Sequence, residues 1–146
     1  MNVEENLILF YEFLTHRGNI LKNYTPRLSS KSDYFAVILE TRKDEHIESI
    51  MKNVMYYLNE TNSPIKWGLQ ILHGNGNENY IKEITKDWGE IEYVNLGIDT
   101  ITKLEYSEMM KTPDFWKMLY GEKILIFQKK LLFRLLATMV MENLLY

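Results

Sequence analysis

A group of polar residues that could contact a nucleotide directly follows the first long apolar run of the chain. Glu40, Thr41 and Arg42 come after the apolar run at 34–39 of this 146-residue sequence. An arginine guanidinium forms paired hydrogen bonds with phosphate oxygens, so Arg42 is a candidate phosphate ligand, and the backbone near Thr41 would contact a base or a ribose. Alternatively, these residues form an exposed polar loop in which Arg42 pairs with a carboxylate or with a helix end.

A second candidate group lies in the glycine-containing turn at 73–76, directly after the apolar run at 67–72. Such a turn lets backbone N–H groups approach an anion at the start of a helix, so we expect His73 and Gly74 to lie near a bound phosphate. The alternative is that the turn only reverses the chain and that His73 is a hydrogen-bonded residue at a strand end. Asp99 follows the third apolar run and is an additional candidate for contacts with the same ligand.

Motifs for several other kinds of chemistry are not found in the sequence. The three histidines have no mutual ligand spacing and the aspartates are all separated, so local sequence predicts no metal site. The absence of cysteine excludes thiolate zinc sites, disulfides and cysteine nucleophiles. There is no Gly-x-Gly-x-x-Gly, no phosphate-loop Gly-Lys-Thr and no Gly-x-Ser-x-Gly, which argues against dehydrogenases, NTPases and serine hydrolases.

Alternating strands and helices must position the candidate groups. Apolar runs predict buried strands at 34–39, 67–72, 92–96 and 123–128. Apolar residues at helical spacing predict helices at 44–58 and 77–88, and Thr102 and Thr112 have the sequence context of helix caps. This order predicts an α/β fold, a three-layer parallel sheet of about four strands with flanking helices. Ligands of such sheets bind beyond the carboxyl ends of the strands, where the candidate residues lie.

The three tryptophans, Trp67, Trp88 and Trp116, have two interpretations. Their rings could stack on a base or a sugar of a ligand. Each also lies beside apolar residues at a predicted strand start or helix end, so we interpret all three as core residues.

Composition and charge limit the class of protein. A formal net charge of -3, without a basic excess, argues against nucleic-acid binding. Residues 1–5 lack the basic side chains of a secretory signal, which, together with the absence of cysteine, predicts a cytoplasmic protein. The most apolar stretch, 131–146, contains Arg134 and Glu142 and is shorter than the ~20 apolar residues of a membrane span, so no span is predicted.

The order of six segments resembles that of one known family. The segments are 36–42, 53–58, 67–74, 95–97, 107–116 and 121–128. They resemble the DUF5672 family, a glycosyltransferase-like domain family of large DNA viruses, bacteria and fungi. The resemblance implies the N-terminal half of a GT-A-like nucleotide-diphospho-sugar transferase fold, a nucleotide-sugar donor, and a divalent metal, Mn²⁺ or Mg²⁺.

The sequence departs from this family after the fourth predicted strand. The family typically has Thr-Asp-Ser there, and its aspartate is the counterpart of a metal-binding acid, whereas Lys129 and Lys130 follow Gln128 here. Two ammonium groups in place of a carboxylate remove the ligand and repel a cation, so no metal ligand is predicted and Lys129 is expected near the phosphates. The family continues with an acceptor-binding half. We therefore expect a truncated, catalytically incomplete copy and assign no catalytic residue.

The sequence predicts three parts and leaves two alternatives to donor binding. The parts are an N-terminal helical segment and connector at 1–33, the GT-A-like nucleotide-binding domain at 34–128, and an apolar C-terminal helix at 129–146. That helix is expected to cover the edge of the fourth strand or to dock onto a second copy or a partner chain. The alternatives are a non-catalytic remnant or interaction module without donor binding, and a different nucleotide-binding α/β domain.

Overall fold

The computed structural model of the chain describes residues 3–6, 8, 9, 12, 22–61 and 64–127. Within them the chain runs through β1 (Tyr34–Leu39), α1 (Ile47–Glu60), β2 (Gly68–His73), α2 (Glu78–Ile84), β3 (Glu92–Asn95), α3 (Lys103–Met110), α4 (Pro113–Lys117) and β4 (Lys123–Phe127). The strands form one all-parallel sheet with helices packed on it. The predicted α/β fold class is therefore confirmed.

The order of the strands in the sheet is β3-β2-β1-β4, so β1 lies at the centre. Val37 of β1 is paired with Gln70 of β2 on one side and with Ile126 of β4 on the other. Strands β1 and β2 are almost completely buried, as expected for apolar runs covered on both faces. The chain moves from β1 through β2 to β3 in one direction and then returns to the far side of β1, so its direction reverses between β1 and β4.

The helices divide between the two faces of the sheet. The face that carries Ala36 and Ile38 of β1 packs against α1 and α2. The opposite face, which carries Val37 and Leu39, packs against residues of α3 and α4. Right-handed crossovers require this division, because the chain crosses the sheet in opposite directions before and after β3.

Helix α1 is held by the apolar stripe that predicted it. Ile47, Ile50, Met51 and Val54 are all almost fully buried in the core under the sheet. Burying each such side chain stabilises the fold by roughly 1.5–3 kcal/mol, so this stripe is sufficient to fix the helix on the sheet.

Helix α2 is shorter than the predicted helix at 77–88 and ends at Ile84. After it, the backbone of Gly89 has a left-handed φ of +95° and pairs with Leu28. A Cβ atom at Gly89 would lie 2.5 Å from the carbonyl oxygen of Leu28. This close approach follows the early end of the helix, and apolar spacing does not indicate it.

Both predicted helix starts are confirmed. The Thr102 hydroxyl oxygen accepts a hydrogen bond from the Glu105 N–H at 3.2 Å. The Thr112 hydroxyl oxygen accepts one from the Phe115 N–H at 3.4 Å. Each threonine therefore satisfies a backbone donor that the first turn of its helix leaves without an intrahelical partner.

The prediction that all three tryptophans lie in the core is correct for Trp88, which is buried, and wrong for Trp116, which is 45% exposed. Trp67 is half-buried. The neighbouring Phe115 fills the core, and consecutive helical residues point in different directions, so Trp116 turns outward. Its indole N–H donates to the carbonyl oxygen of Met110 at 2.8 Å.

Strand β4 has one neighbouring strand among the described residues, and the side chain of its Leu125 is 43% exposed. Gln128 and the C-terminal helix predicted at 129–146 lie outside the described residues, so the predicted cover of this edge stays a prediction. No helix in the part of the chain that the structure describes is long and apolar enough to cross a lipid bilayer.

Candidate functional site

Three segments meet where the first three strands end. They are residues 40–42 after β1, residues 73–77 at the end of β2, and residues 96–101 after β3. Because the strands are parallel, their carboxyl ends lie at the same edge of the sheet. We call these residues the carboxyl-edge site. Each pair of segments is joined by a different contact.

The first two segments are joined by the side chain of Asn77, which is fully buried. Its Nδ2 donates to the carbonyl oxygens of Glu40 at 2.8 Å and of Arg42 at 3.1 Å. Its Oδ1 accepts from the N–H of Gly74 at 2.9 Å. A carboxamide has two N–H donors, so Asn77 uses both of them to hold the segment after β1.

The second and third segments are joined by their backbones. The N–H of Asn75 donates to the carbonyl oxygen of Ile98 at 2.9 Å. Gly74 makes this approach possible, because a Cβ atom there would lie 2.5 Å from the Ile98 oxygen and 3.2 Å from the Cβ of Thr41. The predicted phosphate-proximal glycine thus lies at the centre of the three segments.

The third segment is joined to the first through Thr41. The hydroxyl oxygen of Thr41 accepts from the N–H of Ile101 at 3.3 Å, and the residue is 4% exposed. This side chain therefore stabilises the site. The contact predicted from the sequence concerns the Thr41 backbone, so it stays a prediction.

Glu40 and Arg42 contact each other beyond the end of β1. The Glu40 carboxylate accepts from the backbone N–H of Arg42 at 3.1 Å, and its Oε1 lies 3.7 Å from Nε of the Arg42 guanidinium. The Arg42 side chain is 73% exposed, whereas that of Glu40 is 9% exposed. An ion pair with one partner so exposed is weak, so the guanidinium remains able to bind an anion.

His73 is buried at the end of β2. Its Nδ1 lies 3.0 Å from the carbonyl oxygen of Gly74, and its ring lies edge-on to that of Tyr93 with the centroids 6.4 Å apart. Because a carbonyl oxygen can only accept, Nδ1 carries the proton in this contact. These contacts match the second interpretation of His73, a hydrogen-bonded residue at a strand end.

The other two residues that the sequence predicts to contact the ligand are Asp99 and Lys129. Asp99 is exposed in the third segment, and its carbonyl oxygen would lie 3.4 Å from a Cβ atom at Gly74. The exposed side chains of Asp99 and Arg42 thus belong to segments that both contact the turn after β2. Lys129, predicted near the phosphates, lies outside the described residues.

No cation-binding cluster of acidic side chains is found among the described residues of the carboxyl-edge site. A hard cation needs several oxygen ligands that converge on one point. The nearby Glu78 carboxylate accepts instead from Lys82, and this hydrogen bond, together with the charge of Lys82, lowers the pKa of Glu78. Across the described ranges, no three histidine, aspartate or glutamate side chains are grouped so that they could hold a metal.

Asn77 lies at the start of the helix predicted at 77–88, directly after the candidate turn, but the sequence does not reveal what its side chain does in the site. Asparagine before a helix commonly caps it by accepting a hydrogen bond from the first turn. The Asn77 side chain makes no such cap bond and instead reaches Glu40, which lies 37 positions earlier. No local signal identifies a contact over this separation.

Comparison of the chain with protein-family models, with curated proteins and with solved structures finds no match. The resemblance to the DUF5672 family rests on six short segments of the sequence and stays a prediction. The sheet order and the geometry of the carboxyl-edge site are therefore the observations that bear on function.

Proposed function

We propose that the chain binds the nucleoside diphosphate part of a nucleotide-sugar at the carboxyl-edge site, as the donor-binding half of a glycosyltransferase-like domain of the DUF5672 type. The observation that carries this proposal is the reversal of sheet direction between β1 and β4, with Arg42 just after β1. In open α/β sheets, ligands bind outside the carboxyl ends of the strands at such a reversal, and the segment that carries Arg42 is the described connection beside it.

Arg42 is the proposed diphosphate ligand. Its guanidinium is exposed at the end of the central strand and offers parallel donors that match the oxygens of a phosphate. Lys43, the next residue, is also exposed and adds positive charge. Glu40 acts on the ligand indirectly, because its carboxylate holds the N–H of Arg42.

The remaining predicted contacts receive separate roles. The exposed carboxylate of Asp99 is a suitable acceptor for the hydroxyl groups of a ribose, and the Thr41 backbone is the proposed contact for the base or ribose. The Gly74 N–H already donates to Asn77, so we do not assign it a hydrogen bond to a phosphate. His73 and Gly74 instead form the inner wall beside the phosphates. We keep Lys129 as a further proposed phosphate contact.

Diphosphate binding in this proposal needs no divalent metal. The charge of the phosphates is opposed by arginine and lysine side chains, and the described acidic residues do not form a cation site. No described residue is assigned as a catalytic base, so the proposed activity is donor binding.

A thermal melt of the full chain tests this function. The ligands are UDP, GDP, ADP and CDP, their sugar conjugates and the matching monophosphates, with EDTA present. A ligand that binds only the folded chain adds ~2.7 kcal/mol at about 100 times its dissociation constant, which raises the melting temperature by several degrees. We expect such a shift with at least one diphosphate and a smaller one with its monophosphate. A cooperative melt that no nucleotide shifts would contradict the proposal and favour an interaction module without donor binding.

A further inference from the structure

The backbone of Arg42 is held at both of its polar groups. Its N–H donates to the Glu40 carboxylate at 3.1 Å, and its carbonyl oxygen accepts from Nδ2 of Asn77 at 3.1 Å. The guanidinium projects from this fixed backbone with 73% of the side chain exposed. An arginine on a fixed backbone loses less conformational freedom when it binds an anion than one on a mobile loop does.

The orientation of the Asn77 carboxamide follows from its partners. Its Nδ2 faces two carbonyl oxygens, and its Oδ1 faces the N–H of Gly74. The opposite orientation would set oxygen against oxygen and donor against donor, so this is the arrangement that satisfies all partners. Because Asn77 is fully buried, water cannot replace these hydrogen bonds without opening the site.

We infer that Asn77 is a positioning residue for the diphosphate and that it acts through Arg42. The inference rests on the proposed function, since it concerns the same site. Asn77 itself does not contact the ligand. Its two N–H donors fix the carbonyl groups of Glu40 and Arg42, and their loss releases the segment from which the guanidinium projects.

Asn77→Asp is an informative replacement because it keeps the shape of the side chain and changes its donors. An ionised carboxylate only accepts hydrogen bonds and would face the carbonyl oxygens of Glu40 and Arg42. Burial and these acceptors favour the protonated form, which has one O–H donor. The defect of this variant is therefore relieved as the pH falls, whereas the defect of Asn77→Ala is not.

Other titratable groups near this position are shared by the wild type and the variants. They are Glu40 and Arg42 after β1, His73 in β2, Glu78 in α2 and Asp99 after β3. Each variant is compared with the wild type at the same pH, so the protonation state of free pyrophosphate is the same in both titrations, and Asn77→Ala, which adds no titratable group, is the control for these neighbours.

The first readout is calorimetric titration with pyrophosphate, which presents the diphosphate group without a nucleobase or a ribose. Relative to the wild type, Asn77→Asp should bind about tenfold more weakly at about pH 8 and within about threefold at about pH 6. Asn77→Ala should bind about tenfold more weakly at both values. Wild-type affinity of Asn77→Asp at the higher pH, or the same loss at both pH values, would overturn the inference.

The second readout needs no ligand and separates this inference from the proposed function. Amide hydrogen exchange of the free chain should become faster in both variants at residues 40–42 and at Gly74, with α1 unchanged. A wild type that binds neither pyrophosphate nor nucleotides would overturn the proposed function, and the exchange pattern would still decide whether Asn77 holds the segment that carries Arg42. A uniform increase in amide exchange along the chain, or no increase at all, would overturn this role of Asn77. If Asn77→Asp does not melt cooperatively, the titration and exchange of Asn77→Ala decide.

Discussion

The α-carbon of Gly74 lies so close to the carbonyl oxygen of Ile98 that a Cβ atom on it would be 2.5 Å from that oxygen. A β-carbon and a backbone oxygen do not approach to this distance in folded proteins. The absence of a side chain at position 74 thus lets the segment after β2 touch the segment after β3. The N–H of Gly74 also donates to Oδ1 of Asn77 and so helps to orient the side chain that joins the first two segments.

Gly74→Ala should lower the free energy of unfolding by about 1–3 kcal/mol, because one of the two segments must move to make room for the methyl group. Urea denaturation followed by circular dichroism measures this change. Gly76→Ala is the matched control, since a Cβ atom there has nothing within 4 Å, and its effect should stay within about 0.5 kcal/mol. Equal effects of the two replacements would contradict the close approach at Gly74.

Thr41→Val should destabilise the chain by about 1–2 kcal/mol. The replacement keeps the shape of the side chain but removes the oxygen that accepts from the N–H of Ile101, and the residue is buried. Thr41→Ser retains this oxygen and should cost less. Denaturation midpoints of the two variants test the order, and a serine variant less stable than the valine variant would show that the methyl group matters more than the hydrogen bond.

Stability at high pH should depend on Tyr24. Burial, with a smaller contribution from the Glu60 carboxylate, raises the pKa of Tyr24 to about 12. A tyrosine in an unfolded chain loses its proton at about pH 10. Tyr24 therefore holds its proton in the folded chain but not in the unfolded one between about pH 10 and 12. The contribution of Tyr24 to the free energy of unfolding is fully present below that range and decreases as the pH rises through it.

Urea denaturation at a series of alkaline pH values measures this dependence. Tyr24→Phe should show a smaller loss of stability than the wild type over the same range. Glu60→Gln should show an intermediate loss, because it removes the charge but leaves the burial. Identical pH profiles for the wild type and Tyr24→Phe would contradict the assignment.

Removal of divalent metal should leave diphosphate binding nearly unchanged. The described acidic side chains do not form a cation site, so the affinity measured with EDTA should agree within about twofold with that measured with Mn²⁺. Calorimetric titration under both conditions provides the comparison. Binding that requires Mn²⁺ would contradict this prediction and would place a metal ligand of the chain outside the described residues.

Features that depend on neighbouring residues could be predicted from the sequence. A continuous apolar run predicts the strand at 34–39, and the structure has β1 at Tyr34–Leu39. Thr102 and Glu105 predict the start of α3, and these residues lie three positions apart and bond to each other. Signals of this kind need no knowledge of the tertiary fold.

The geometry of the site could be predicted only as far as the strand ends. Sequence reasoning brings Thr41, Gly74 and Asp99 to one edge of the sheet, but it does not indicate which side chains turn inward. The bond between Thr41 and Ile101 spans 60 positions, and that between Asn77 and Glu40 spans 37. Such contacts depend on how the segments pack in three dimensions, so local patterns cannot reveal them.

In the proposed function, a nucleoside diphosphate binds at the end of β1 through Arg42. The most direct test is calorimetric titration of UDP, GDP, ADP and CDP into the wild type, Arg42→Gln and Arg27→Gln. Arg27 is a matched control, since it is an exposed arginine that lines a different cavity of ≈ 490 Å³ beside Tyr24 and Glu60.

Binding of at least one diphosphate to the wild type should weaken at least about tenfold in Arg42→Gln, because hydrogen bonds to charged groups contribute about 1.5–3 kcal/mol each. Arg27→Gln should bind within about twofold of the wild type. Equal affinity of the wild type and Arg42→Gln would contradict the account, and a loss confined to Arg27→Gln would assign the ligand to the cavity beside Tyr24.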